Sequence, residues 1–211
     1  NRESDRQRKT SCGVYRRRTM RIAVFASGNG SNFQALADYL SKKGLESSID
    51  WLFCDQPEAY VLKRATALSV PADCFSPKEF DSKKEYEEAI LHKLKEKKID
   101  LIVLAGYMRI IGPVLLKNYD KRIINIHPSL LPAFPGLHGI RDAFEAGVKE
   151  TGVTIHYIDQ GVDTGPIIRQ EKVRIEQEDT FDSLEEKIHR VEHRIYPEVI
   201  SEIIENGGYL K

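Results

Sequence analysis

The 211-residue chain is poor in sulfur and has no long apolar run. Its three cysteines, Cys12, Cys54 and Cys74, show no C-x-x-C spacing. That excludes a disulfide framework and a thiolate metal cage, and it favours a reducing, cytoplasmic setting. Cys54 and Cys74 fall in apolar runs, where a small buried side chain is the ordinary role. No stretch approaches the roughly 20 apolar residues of a membrane helix, so no membrane partner is expected. There is no internal repeat, and no G-K-[ST] follows the glycine-rich turn near the start, which excludes a P-loop. Net charge is also lacking, with 32 basic against 32 acidic residues. The balance hides an asymmetry. Residues 1–19 carry Arg2, Arg6, Arg8, Lys9, Arg16, Arg17 and Arg18 against Glu3 and Asp5. The remainder is therefore acidic and a poor match for nucleic acid.

That basic head lacks apolar periodicity, so disorder or loose packing is expected for residues 1–19. It has some transit-peptide character, and a nucleic-acid arm is a second possibility. The favoured expectation is a non-native head ahead of Met20, because strand pattern begins at Arg21. Residues 20–211 are then one domain of ordinary size and composition.

From residue 20 the chain alternates strand and helix. Strand-like runs occupy 21–27, 49–55, 72–75, 99–105 and 122–127. Helical patterns lie at 32–43, 58–68, 82–98 and 112–117. Several strands are apolar on both faces, as in a covered parallel sheet. After Thr151 two strand patterns follow one another, G-V-T-I-H-Y-I and P-I-I-R-Q-E-K-V-R-I, which predicts antiparallel pairing. A long helix over 181–205 closes the domain, with Phe181, Leu184, Ile188, Val191, Ile195 and Val199 on one stripe and a kink expected at Pro197. The fold class is α/β: a Rossmann-like open sheet, parallel in its N-terminal half, antiparallel at its C-terminal strands, with helices on both faces.

The chemistry concentrates between residues 125 and 163. Asn125 and His127 alternate on an apolar strand, so their side chains share a face. An amide donor and an imidazole on one face can serve an oxyanion forming between them. Asp163, in a glycine-flanked loop, can keep the imidazole charged and oriented. Pro128, Pro132 and Pro135 frame the loop after His127, and Leu131–Pro132 is a candidate cis bond. A surface loop with a chance histidine is the competing explanation for N-x-H-P taken alone. Earlier, S-G-N-G-S-N (27–32) turns straight into a helix. Its backbone N–H groups and the helix dipole suit a phosphate. The alternative is a tight turn capped by Ser31 or Asn32. In an open parallel sheet both features would face the same cleft.

These motifs resemble the folate-dependent glycinamide ribonucleotide formyltransferases of purine synthesis. The likeness rests on S-G-N-G-S-N, L-A-G-Y-M-R-I-I (104–111), N-I-H-P-S-L-L-P-A-F-P-G, G-V-D-T-G-P-I and V-E-H-R-I-Y-P (191–197), in that order. It implies the formyltransferase fold and formyl transfer from 10-formyltetrahydrofolate, as co-substrate and without metal, to the amine of glycinamide ribonucleotide. It also implies site residues. Asn125, His127 and Asp163 match the catalytic trio. Gly30, Ser31 and Asn32 match the phosphate turn, and Glu192 the contact to the glycinamide or ribose end. Met108, Arg109, Ile110 and Ile111 match the folate segment, to which Asn125 and Asp163 also contribute. Lys83 falls where relatives can carry a basic residue for the folate tail. Leu104, Tyr107 and Ile110 have the apolar character of a pterin slot, and at least one of them is expected to be ordinary core at the sheet edge. Glu192 is on the flank of the last helix's stripe, where many acids are merely solvated.

Two departures stand out. Thr164 follows Asp163 in place of a second glycine and is expected to stiffen the loop. Lys83 weakens a bidentate carboxylate contact. The other histidines (His92, His138, His156, His189, His193) are assigned structural places, and the i, i+4 pair His189 and His193 lacks a third ligand. A monomer or weak homodimer is expected, with small-molecule substrates only. The rivals are a formyl-folate deformylase, an aminosugar or initiator-tRNA formyltransferase, and a non-catalytic nucleotide-binding Rossmann-like module. The first and the tRNA enzyme are expected to need domains that this length does not hold.

Overall fold

The computed structural model describes residues 19–208. The basic head expected over residues 1–19 lies outside the described residues up to residue 18. Seven strands form one sheet in the order β3-β2-β1-β4-β5-β6-β7. In chain order they are β1 (Ile22–Ala26), β2 (Ile49–Cys54), β3 (Ala72–Cys74), β4 (Leu101–Leu104), β5 (Ile123–His127), β6 (Glu150–Tyr157) and β7 (Ile167–Arg174). The first five are mutually parallel, while β6 pairs antiparallel with β5 and β7 antiparallel with β6, as the change of pattern after Thr151 predicts.

Six helices cover the sheet: α1 (Ser31–Lys42), α2 (Val61–Ala67), α3 (Lys83–Glu96), α4 (Pro113–Asn118), α5 (Gly139–Glu145) and α6 (Phe181–Glu205). Each face has its own apolar core. One joins Phe33, Leu36 and Leu40 of α1, Val61 of α2 and the α6 stripe to Val24, Ile124 and Ile126. The other joins Tyr86, Ile90 and Leu94 of α3 and Leu115 of α4 to Phe25, Ile102 and Ile123. The central strands bury both faces, which explains their near-continuous apolar runs. α6 is assigned as one helix through Pro197.

The helix after β1 covers one face and the helix after β4 covers the other. Strand order therefore reverses between β1 and β4, which opens a crevice at their carboxyl ends. The loops there are tied together: Ser27 N–H donates to Gly106 O at 2.9 Å, and Met108 N–H to Ser27 Oγ at 2.9 Å. Next door, β4 and β5 pair only through Ile102–Ile123 and Val103–Ile124. Where they part, the buried Tyr196 hydroxyl of α6 is shared between Leu104 O at 2.7 Å and Ile124 O at 3.2 Å. The long helix thus fixes the spacing of the two strands that lead into the cleft.

Candidate functional site

β5 ends with Asn125 and His127 on the face opposite Ile124 and Ile126, as alternation requires. The β5–β6 register sets His156 beside Asn125 and Thr154 beside His127. His127 is only 5 % exposed. Its Nε2 lies 2.8 Å from Phe134 O, and a ring nitrogen facing a carbonyl must carry the proton. Its Nδ1 lies 3.6 Å from Asp163 Oδ2. Asp163 adopts a left-handed conformation (φ 56°) and its Oδ2 accepts from Gly136 N–H at 2.8 Å. Asn125 and His127 on β5 and Asp163 in the β6–β7 loop are thus brought together, with Phe134 and Gly136 of the proline loop bonded to them.

The proline loop is held from behind. Thr154 Oγ1 donates to Ser129 O at 2.7 Å and accepts from Leu131 N–H at 3.1 Å and Gln170 Nε2 at 2.9 Å. Gln170 also donates to Leu131 O at 2.9 Å. The Leu131–Pro132 bond is cis, as expected from the sequence. Thr164 stiffens the β6–β7 loop in a definite way: its hydroxyl donates to Asp159 Oδ1 at 2.7 Å, which also accepts Gly161 N–H at 2.9 Å. These two bonds hold the Asp159 carboxyl below the usual carboxylate range.

At the first turn, Gly30 has φ 80° and precedes α1 without any side-chain cap, so the cap role considered for Ser31 or Asn32 is not taken up. The α1 N–H groups are left for another acceptor. α6 closes this side. Asn32 Nδ2 donates to Glu192 Oε2 at 2.9 Å, and His193 Nε2 lies 3.1 Å from Ser31 Oγ. Glu192 is a buried acid, not a solvated edge, and burial raises its pKa against the bond from Asn32. The buried Asn32 Oδ1 has no partner among the described residues. Burial, then His189 and Arg64, lower the His193 pKa.

A match to the formyl transferase family model spans residues 20–200. The chain belongs to the formyl transferase family. It is 49 % identical over 184 residues to a phosphoribosylglycinamide formyltransferase of Bacillus subtilis, covering 87 % of this chain and 94 % of that protein. An Escherichia coli protein of the same description is 38 % identical over 182 residues, 86 % of each chain. A crystal structure of glycinamide ribonucleotide transformylase 1 from Geobacillus kaustophilus superposes with a TM-score of 0.85 at 52 % identity, over 89 % of this chain and all of that one.

The segment expected to bind folate has two kinds of residue in this formyl transferase. Met108 and Ile110 are 61 % and 67 % exposed, an unusual placement for apolar side chains unless something covers them. Leu104 and Ile111, by contrast, pack into the core beneath. Leu104 has the burial of an ordinary core residue at the sheet edge, and its carbonyl oxygen is already held by the Tyr196 hydroxyl. Arg109 is anchored, its Nε donating to the fully buried Asp55 Oδ2 at 2.8 Å. Lys83, the first residue of α3, rests beside this segment; a Cβ added at Gly112 would sit 3.0 Å from its Cε.

His156 does more than its structural assignment. Its Nδ1 faces Tyr157 O at 3.0 Å, while Nε2 lies 3.4 Å from Asn125 Nδ2 and 3.9 Å from Asp163 Oδ1. Burial lowers its pKa against the pull of the Tyr157 carbonyl and Asp163. The neutral ring with its proton on Nδ1 accepts from Asn125, which orients that amide. His189 and His193 stack at 6.3 Å, and no group of potential metal ligands occurs among the described residues. No described helix is long and apolar enough to cross a membrane.

Proposed function

We propose that this cleft transfers a formyl group from 10-formyltetrahydrofolate to the amine of 5-phosphoribosylglycinamide. The observation that carries the reading is the convergence of Asn125, His127 and Asp163 at the edge that also presents the uncapped N-terminus of α1. The uncapped turn at Gly30, Ser31 and Asn32 suits the nucleotide phosphate. Buried Glu192 and the orphan Asn32 Oδ1 are acceptors suited to the amine or hydroxyls of the glycinamide ribonucleotide. The exposed apolar Met108 and Ile110 fit a flat heteroaromatic donor, with Arg109 fixed and Lys83 near for its anionic tail.

The residues divide the chemistry. The acceptor amine attacks the formyl carbon, and negative charge grows on the formyl oxygen. Asn125 Nδ2–H donates to that oxygen, and His127 donates through Nδ1–H, the ring nitrogen that Phe134 O does not take up. One such donor is worth about 2.7–4 kcal/mol of barrier. Asp163 faces His127 and stabilises its protonated ring. The amine must lose a proton and the folate nitrogen must gain one as its bond to carbon breaks. The Asp163–His127 pair stands beside that exchange. The test is to incubate the chain with formyl-folate plus glycinamide ribonucleotide, and separately with water alone or initiator methionyl-tRNA. Deformylated folate should accumulate quickly only with the ribonucleotide; rapid release in water would instead make the chain a deformylase.

A further inference from the structure

Arg64 lies in α2 next to Lys63, and nothing in the sequence singles it out. Its Nε donates to Asn29 O at 2.8 Å and its NH2 group to Asn29 Oδ1 at 2.8 Å, a two-pronged grip on one residue of the turn after β1. NH1 reaches Gln34 Oε1 at 3.4 Å, and the guanidinium lies 4.9 Å from the centre of the Tyr60 ring. The same helical turn holds the neighbouring residues. Val61 N–H donates to Gly28 O at 3.1 Å, and the Val61 side chain fills the space a Cβ on Gly30 would need, 2.4 Å from Cγ2. Gly28, Asn29 and Gly30 are therefore all shaped by α2.

Every group that Arg64 touches among the described residues is neutral: a carbonyl, two amides and a phenol ring. A half-buried guanidinium without a carboxylate leaves net positive charge beside the uncapped end of α1, and its field reaches His193. A planar fork holds geometry as well as charge, which lysine does not reproduce. We propose that Arg64 is a specificity-determining residue for the acceptor phosphate, holding the turn in its binding shape and supplying charge that favours a dianion. This rests on the placement of the phosphate at that turn.

The test uses the full chain with Arg64→Met and Arg64→Lys, assayed with glycinamide ribonucleotide and with its dephosphorylated ribonucleoside. Arg64→Met should raise KM for the ribonucleotide about tenfold, as expected for losing a charge-assisted contact, with kcat within about twofold. KM for formyl-folate and kcat/KM for the ribonucleoside should stay unchanged. Arg64→Lys keeps the charge without the fork, so it should show a smaller rise in the same constant. A wild-type ribonucleotide KM in Arg64→Met, or equal losses on both acceptors, overturns the proposal. Backbone amide shifts of residues 28–33 on adding ribonucleotide separate the two levels. If they move while the variants bind normally, only the role of Arg64 fails; if they stay still, the phosphate placement itself fails.

Discussion

His127 Nδ1 and Asp163 Oδ2 lie 3.6 Å apart although 35 residues of chain separate them, the imidazole at the end of a parallel strand and the carboxylate in a left-handed turn between antiparallel ones. The carboxylate is fixed from its other side by Gly136 N–H, so neither partner needs to move to meet the other. Asparagine tolerates the left-handed region and can still accept from Gly136, which makes Asp163→Asn a charge test with little change of shape. His127→Ala and Asp163→Asn should each lower kcat by well over a hundredfold, in the range of lost oxyanion or acid–base assistance. Ribonucleotide binding measured at equilibrium should hardly change. Activity within tenfold of wild type in either variant would refute the assignment.

Gly30 and Gly28 separate the needs of the fold from those of the ligand. Gly30 combines φ 80° with Val61 underneath, so Gly30→Val should lose at least about 1–2 kcal/mol from backbone strain alone, with a further loss from collision. Its raised ribonucleotide KM would then report a distorted turn as much as a blocked phosphate. Gly28 has nothing within 4 Å of an added Cβ and no positive φ. Gly28→Ala should melt like the parent while raising ribonucleotide KM, and thermal scans beside kinetics decide the point.

Glu192 should show opposed effects on stability and function. Burial raises its pKa above the unfolded value, so the fold favours the protonated carboxyl. The resulting penalty grows as pH rises from the unfolded value through the folded one and is complete above it. Glu192→Gln removes that penalty and can still accept from Asn32. It should stabilise the chain by about 0.5–2 kcal/mol at neutral pH, with no gain below the unfolded pKa, and raise ribonucleotide KM. Denaturant titrations at several pH values give the check; equal stabilisation at all of them would contradict it.

His156 carries the opposite sign. Its folded pKa is depressed, so the neutral ring is favoured and stability is present above the unfolded value of about 6.5 and declines as pH falls below it. His156→Gln should flatten that acid limb and, by releasing the Asn125 amide, lower kcat more than it raises either KM. Parallel pH profiles of unfolding and turnover measure both.

Tyr196→Phe should cost about 1–3 kcal/mol, since Leu104 O and Ile124 O lose their shared buried donor. Because those carbonyls border the loop of residues 105–111 and Asn125, kcat should fall with stability. A variant that melts and turns over like the parent would show that α6 does not control the separation of β4 and β5.

The sequence alone determined what depends on local order. Alternation placed Asn125 and His127 on one face, and the glycines placed a turn against the start of a helix. The apolar runs separated parallel from antiparallel strands, and the ends of α6 matched the predicted 181–205. These follow from periods of two and 3.6 residues and from turn chemistry, which are properties of neighbouring residues. Tertiary structure alone decided the rest. His156 joins the site because the β5–β6 register sets it opposite Asn125, and a shift of one residue would have turned it away. Arg64 reaches Asn29 because α2 packs under the turn after β1. Glu192 is buried, and not a solvated acid, because α6 crosses the N-terminus of α1. Leu104 and Ile111 are buried because they pack into the second core with residues of α3 and α4. Each outcome depends on which distant surfaces pack together, and no local pattern carries that information.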